Sequence, residues 1–326
     1  MVAQRHIQAR GARPTRSLRD RQVLSGRRSV RHHTVPQFYL RRFADYDERL
    51  RALNVDSGDI LERQHIKNVA FENDFHTLTK PRELAVDLES AFAQVEGVLA
   101  EGLRSIDEKF PPTQEAREAV SVFVAFQFVR SSRWRQVAQD AMSDLMTRST
   151  RFIASYTLKN LEPDAATSFV QEQLGDDTAT QDEALQLLES LSDPQFAIEV
   201  DHSQHLQQMV EVLTDRKYVD LVARRSWAMC YTDARHEFLI SDHPIGLRGS
   251  PFPSGHAGLG NALELSLPLD RRRLLLMTLD PGDEGKRREV SALDALNLNS
   301  LVRDSALRFV YGHPLVPDEW LRGDSG

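Results

Sequence analysis

Val120-Ser121-Val122-Phe123-Val124-Ala125-Phe126-Gln127-Phe128-Val129 carries apolar side chains on nearly every side of a helical wheel. A helix of that kind has no face to give to water, so other elements must enclose it. The stretch reads as the central buried helix, and the rest of the chain has to supply its cover. Pro111-Pro112 stops the element before it, and Thr113 with Glu115 starts it; the helical pattern then runs to around Tyr156.

Working outward, Leu84, Leu88, Phe92, Val95, Val98 and Leu99 recur at helical spacing between Arg82 and about Phe110. Further upstream, Leu50 to Val55 and Ile60 to Ile66 flank Asp56-Ser57-Gly58-Asp59 and read as a β-hairpin, with a turn and strand following over Val69 to Leu78. Val35-Pro36-Gln37 opens a short helix through Phe38, Tyr39, Leu40 and Phe43. Downstream, helical patterns continue from Pro163 to about Asp215, interrupted by the polar stretch Gly175 to Gln181. After Lys217 the period changes. Ser226 to Tyr231 and Glu237 to Ile240 read as strands joined by a turn at Asp233, and Leu263 to Leu267 and Leu274 to Leu279 as a second pair. The five glycines between Gly246 and Gly260 mark a flexible loop, and a last helix spans Ser291 to Phe309. The pattern defines the α+β class, mostly helical, with an N-terminal hairpin and C-terminal strands as short antiparallel sheet.

Composition sets the broad limits. Hydrophobic residues make up 40% and charged residues 27%, as in ordinary globular proteins. No apolar run approaches the roughly 20 residues of a membrane helix, and the N-terminus lacks the apolar stretch of a signal peptide. Cys230 is the single cysteine, which excludes an intramolecular disulfide and a thiolate zinc cluster. A cytoplasmic protein without membrane partners is the expectation. The net charge of -7 conceals an asymmetry. Residues 1–42 hold eleven Arg against one acid, Asp20, whereas the remainder is strongly acidic. An Arg-rich arm suits phosphate contacts. However, Arg outnumbers Lys 35 to 6 along the whole chain, as a coding bias would produce. Residues 1–30 have no hydrophobic period and are expected to be a disordered tail.

Chemistry-bearing residues fall in a few places. His32 and His33 precede the short helix, and imidazoles suit proton transfer near neutral pH or metal ligation. Adjacent residues of an extended segment point oppositely, so one is expected at a site and the other in a structural hydrogen bond. Ser241-Asp242-His243-Pro244 ends an apolar strand; Asp242 either orients an imidazole or binds a cation, or else closes a turn on its own backbone. Gln127 and Arg130 share one helix face, and so buried an Arg needs an anion, whether a ligand's or that of Asp74 or Asp242. His202 and His205 lie three apart but lack the Glu of a helical metalloprotease pair. Ser254-Gly255-His256 is too little for a hydrolase triad, and no nucleotide-binding glycine motif is present.

In order along the chain, HHTVPQFYLRRF (His32 to Phe43), NVAFENDFHTL (Asn68 to Leu78), Gln127 with Arg130, LISDHPI (Leu239 to Ile245), SLPLD (Ser266 to Asp270) and LNLNSLVRDSALRFVYG (Leu296 to Gly312) resemble the bacterial family called domain of unknown function 4238. The resemblance implies a single domain over 31–313, followed by a C-terminal tail at 314–326. It also implies that the His pair, the Gln–Arg face and the Ser-Asp turn belong to one site. The family pattern usually has Asn where this chain has His243, and it brings no established reaction.

Three readings of the site follow from the residues. The first is a hydrolase acting on a phosphodiester or nucleic acid, a metal-dependent nuclease or phosphodiesterase. His32 or His33 would be base or ligand, Asp242 orienting group or ligand, and Arg130 the anion-stabilising cation beside Gln127. A divalent metal would draw on His33, Glu72, Asp74 and Asp242. The second is a non-enzymatic binding module for a nucleotide or other anionic small molecule. In the third, the motifs serve the fold itself.

Overall fold

A computed structural model describes residues 31–73, 96–98, 100–130, 132–174, 178–198, 215–249 and 258–324. The Arg-rich segment, most of the Arg82-to-Phe110 pattern, His202 with His205, and Ser254-Gly255-His256 lie outside these residues. The chain is of the α+β class and divides into two compact units. Gln136–His202 belongs to the smaller, and Ser29–Arg135 with Ser203–Gly326 forms the larger.

In the larger unit, strand β1 (Arg31–His33) leads into the one-turn helix α1 (Gln37–Leu40), with Pro36 at its N-cap. Strands β2 (Arg49–Asn54) and β3 (Ile60–His65) form the expected hairpin. The Asn54 side chain accepts the N–H groups of Asp56 and Ser57, and Gly58 takes the left-handed φ of 74° that closes the turn. Strand β4 (Phe71–Asn73) then pairs antiparallel with β1.

Helix α2 (Gln114–Arg130) is the buried helix demanded by its composition. Val120, Phe123, Val124, Ala125 and Phe126 are wholly enclosed. Tyr39 meets Phe123 edge-on at 5.0 Å between ring centroids. On the same helix Arg117 lies over the Trp227 ring at 4.5 Å and donates to Ala223 O and Glu284. That guanidinium holds the Glu284 carboxyl below its usual range.

The remaining elements are α6 (Arg216–Ala223), β5 (Ser226–Tyr231), β6 (Ile240–Ser241), β7 (Gly246–Arg248), β8 (Glu264–Pro268), β9 (Arg273–Thr278), β10 (Arg287–Glu289), α7 (Ala292–Ser305), β11 (Phe309–Gly312) and α8 (Asp318–Arg322). They complete two sheets, ordered β10-β5-β9-β8-β7 and β3-β2-β11-β6. Only the β10–β5 pair is parallel among these described ladders.

Several expectations change. Helix α6 falls where the helical period was expected to stop; Asp215 caps it by accepting Lys217 N–H, and Val219 and Val222 are buried. The strands on either side of Asp233 do not pair. Asp233 forms a turn by accepting Arg235 and His236 N–H, after which Phe238 N–H bonds to Arg271 O and β6 joins the other sheet. The glycine-rich loop begins as the edge strand β7, whose Gly246 packs so closely on Ser266 and Leu301 that a Cβ would collide with both. The last helix ends at Ser305 rather than Phe309, and Phe309 begins the strand between β2 and β6. Val98, read as part of a packed helix face, is exposed. The C-terminal segment buries Val316 and Leu321. Among the described residues no helix is long and apolar enough to cross a membrane.

The smaller unit is helical where described: α3 (Ser132–Asn160, of which Gln136 onward belongs here), α4 (Pro163–Leu174) and α5 (Gln181–Ser192). A capping box at Thr180 and Glu183 starts α5. Ala154, Ala166, Val170, Ala184 and Leu188 form its small core.

The fully buried Tyr39 hydroxyl donates to Pro268 O, tying α1 to the end of β8. Tyr39→Phe leaves that carbonyl without its donor and is expected to destabilise the protein by about 1–2 kcal/mol, read from the urea midpoint at unchanged m-value.

Candidate functional site

The β1–β4 ribbon sets the geometry around the histidines. Its register pairs Arg31 with Asn73, His32 with Glu72 and His33 with Phe71. Cross-strand partners share a face and neighbours along a strand alternate, so His32 with Glu72 occupies one face and His33 with Phe71 the other. The His33 ring meets the Phe71 ring edge-on at 6.3 Å, and its Nδ1 lies 3.5 Å from the Gln37 amide nitrogen. For His32, Glu72 and Arg130 the structure describes the backbone, and Asp74 lies outside the described residues.

Just after the ribbon, Thr34 is locked in place. Its N–H and hydroxyl both donate to Ala70 O, at 2.8 and 3.1 Å. Its carbonyl accepts a 2.6 Å bond from Gln127 Nε2. Gln127 is completely buried in the apolar middle of α2, and its Oε1 has no hydrogen-bond partner among the described residues. An amide there supplies the one donor that a helix of hydrocarbon side chains cannot. Arg130 is the last residue of the same helix, three positions further on.

Ala70 continues the connection, since its N–H donates to the Tyr311 hydroxyl at 3.1 Å. Burial first, and then the nearby Asp242 charge, push the Tyr311 hydroxyl far above the usual tyrosine range. On the other side of α2, the Phe128 ring meets His243 edge-on at 5.8 Å. The central helix therefore touches both the His-His-Thr segment and the Ser-Asp-His turn through consecutive residues, Gln127 and Phe128.

Asp242 is buried, and both of its oxygens accept from main chain. Oδ1 takes Leu307 N–H at 2.8 Å, and Oδ2 takes Arg308 and Phe309 N–H at 2.8 and 3.0 Å. Burial raises its pKa, and these three bonds act in the opposite direction. Ser241 and Ser305 hydroxyls both donate to His243 O, at 2.6 and 2.7 Å. Asn299 accepts Leu239 N–H and donates to Glu237 O. Thr34, Ala70, Tyr311, Asn299 and Ser305 were not singled out from the sequence. A signal existed, because Asn299 and Ser305 are polar positions on an otherwise apolar helix face. Among the described residues no three His, Cys, Asp or Glu side chains cluster closely enough to hold a metal ion.

A second arginine group lies at the β8–β9 turn. Arg42 donates to Leu269 O and, through both terminal nitrogens, to Asp107. Arg273 pairs with Asp270 and Asp107, and Arg271 with Glu237. Arg42, Asp270, Arg271, Arg272 and Arg273 line a shallow depression of about 430 Å³.

Residues 31–315 match the family described as Protein of unknown function (DUF4238), in agreement with the order of the motifs along the chain. The chain belongs to that family. No curated protein and no solved structure matches it.

Asp242→Asn keeps the size of the side chain but turns an N–H donor toward at least one of the three backbone donors. It is expected to cost about 2 kcal/mol or more. Because the folded protein holds the Asp242 proton more tightly than the unfolded chain, ionisation weakens the fold. This part of the stability is present below the ordinary aspartate pKa and is lost as pH rises through the raised folded value. Urea unfolding at stepped pH, monitored by tryptophan fluorescence, should show that decline in the wild type and lack it in Asp242→Asn.

Proposed function

We propose that this protein is a hydrolase of phosphodiesters, with nucleic acid as the substrate class, and that its chemistry sits on the β1–β4 ribbon beside the end of α2. The observation that supports this most is the 2.6 Å bond from Gln127 to Thr34 O, which fixes the helix bearing Arg130 against the strand bearing His32 and His33. The cross-strand register of His32 with Glu72 adds an imidazole and a carboxylate on one face. In this reading His32 is the general base that takes a proton from water, and Glu72 orients the imidazole. Arg130 offsets the charge that develops on the phosphoryl oxygens. His33, packed on Phe71 beside Gln37, is the structural member of the pair. Asp242 acts as a positioning residue through the backbone of residues 307–309. The test is hydrolysis of DNA, RNA and an activated phosphodiester by the full chain, with magnesium or manganese and with chelator. His32→Ala and Glu72→Gln should each lower turnover by about 10²–10⁴-fold, with His33→Ala far less affected. Absence of turnover by the wild type, or wild-type rates in both variants, overturns the assignment.

A binding module for an anionic ligand is the second reading, favoured by the arginine-lined depression at the β8–β9 turn. Carboxylates hold Arg42, Arg271 and Arg273 closely; Arg272 pairs with Glu237 at 3.4 Å and donates to Asp233 O, and it is the most exposed of the four side chains. Calorimetric titration with pyrophosphate should then show binding that Arg272→Glu weakens at least tenfold. An equal affinity in the variant removes this reading.

A further inference from the structure

Ala70 has a backbone conformation that its side chain disfavours. Its φ is 48°, in the left-handed region where a Cβ crowds the neighbouring carbonyl and which glycine enters freely. Such a conformation persists where surrounding bonds over-determine it. Three bonds do so here. The Thr34 N–H and hydroxyl both donate to Ala70 O, and Ala70 N–H donates to the Tyr311 hydroxyl at 3.1 Å. The holding groups are themselves fixed. Thr34 and Tyr311 are buried, and Gln127 Nε2 holds Thr34 O from the central helix. Upstream the chain is anchored as well, with Ile66 and Val69 packed in the core. A change of φ at Ala70 therefore falls on the residues that follow it, and these form strand β4.

We infer that Tyr311 is a positioning residue of the β1–β4 ribbon, because its hydroxyl clamps Ala70 in the left-handed region and so keeps β4 in register with β1. The role in turnover rests on the reading of that ribbon as the site of phosphodiester hydrolysis; the clamp itself does not. Position separates Tyr311 from the other two bonds. Both Thr34 bonds come from the residue directly after β1, at the end of the ribbon itself. Tyr311 belongs to β11, in the sheet ordered β3-β2-β11-β6, so its bond ties the ribbon to a separate element. Phenylalanine fills the same space but offers the amide no acceptor. With the tie removed, Ala70 relaxes toward negative φ. That rotation draws Phe71 off the His33 ring, which it meets edge-on at 6.3 Å, and takes Glu72 out of register with His32.

The test is amide hydrogen exchange of the full chain, followed at Thr34, whose N–H is covered by Ala70 O. Tyr311→Phe should speed that exchange by about tenfold or more, while amides of the β2–β11 ladder keep their rates. Adding Ala70→Gly should slow it again by about threefold or more, because glycine occupies the left-handed region without a tether. A hydroxyl that serves packing alone predicts the reverse, since glycine then adds nothing but backbone freedom. Turnover reads the positioning role. Tyr311→Phe should lower kcat for an activated phosphodiester by about tenfold with KM unchanged, and the double variant should regain about threefold. Exchange at Thr34 that Tyr311→Phe leaves unaltered, or that Ala70→Gly fails to slow, overturns the clamp. Equal acceleration throughout the β2–β11 ladder overturns it too, because the hydroxyl then serves the fold as a whole. Faster exchange with wild-type kcat overturns the positioning role. A wild type without turnover removes the hydrolase reading and the role in turnover with it, and the exchange rates still decide the clamp.

Discussion

A buried carboxylate that accepts three consecutive main-chain N–H groups governs much of the larger unit. Asp242 takes the amides of Leu307, Arg308 and Phe309 at the point where helix α7 has ended and strand β11 begins. Without an acceptor those three donors would be left unpaired in a part-buried stretch of chain, at a cost of about a kilocalorie each. With it, the chain leaves the helix at Ser305 and enters β11, which lies between β2 and β6. The Ser241 and Ser305 hydroxyls, both bonded to His243 O, hold the same corner from the other side. Once β11 is in place, Tyr311 reaches Ala70, and Ala70 in turn holds Thr34 after the histidine strand.

That chain of bonds gives the family's sequence motifs a physical account. The Ser-Asp-His turn, the terminal helix and strand, and the segments around Thr34 and Ala70 are far apart in sequence, yet each supplies a donor or acceptor that another segment lacks. Asp242 and Asn299 work on main-chain groups, which is structural employment. His32 and Glu72 face each other across the β1–β4 ribbon, and Arg130 ends α2. The two histidines have separate positions because neighbours along a strand alternate between its faces.

How much of this was legible in the sequence depended on the range of the determining interaction. The hairpin over residues 50–66 could be read because its turn is closed locally, by Asn54 and Gly58. The β8–β9 pair was legible for the same reason, with Asp270 accepting the N–H groups of Arg272 and Arg273. The end of α7 was not legible. Leu307 and Phe309 continue the apolar period of the helix, and the group that diverts them sits more than sixty residues earlier. Likewise the Asp233 turn could be read, but not that the two strands it connects join different sheets.

Sequence by itself determined the α+β class, the buried character of the helix around Phe123 and the identity of the residues able to do chemistry, because hydrophobic period and side-chain type are local properties. Tertiary structure alone decided which groups those residues meet. It committed Asp242 to main chain, gave Gln127 to Thr34, and set His32 opposite Glu72. Each of these outcomes depends on which distant group arrives within hydrogen-bonding or packing distance, and a pattern of residues along one chain does not contain that distance.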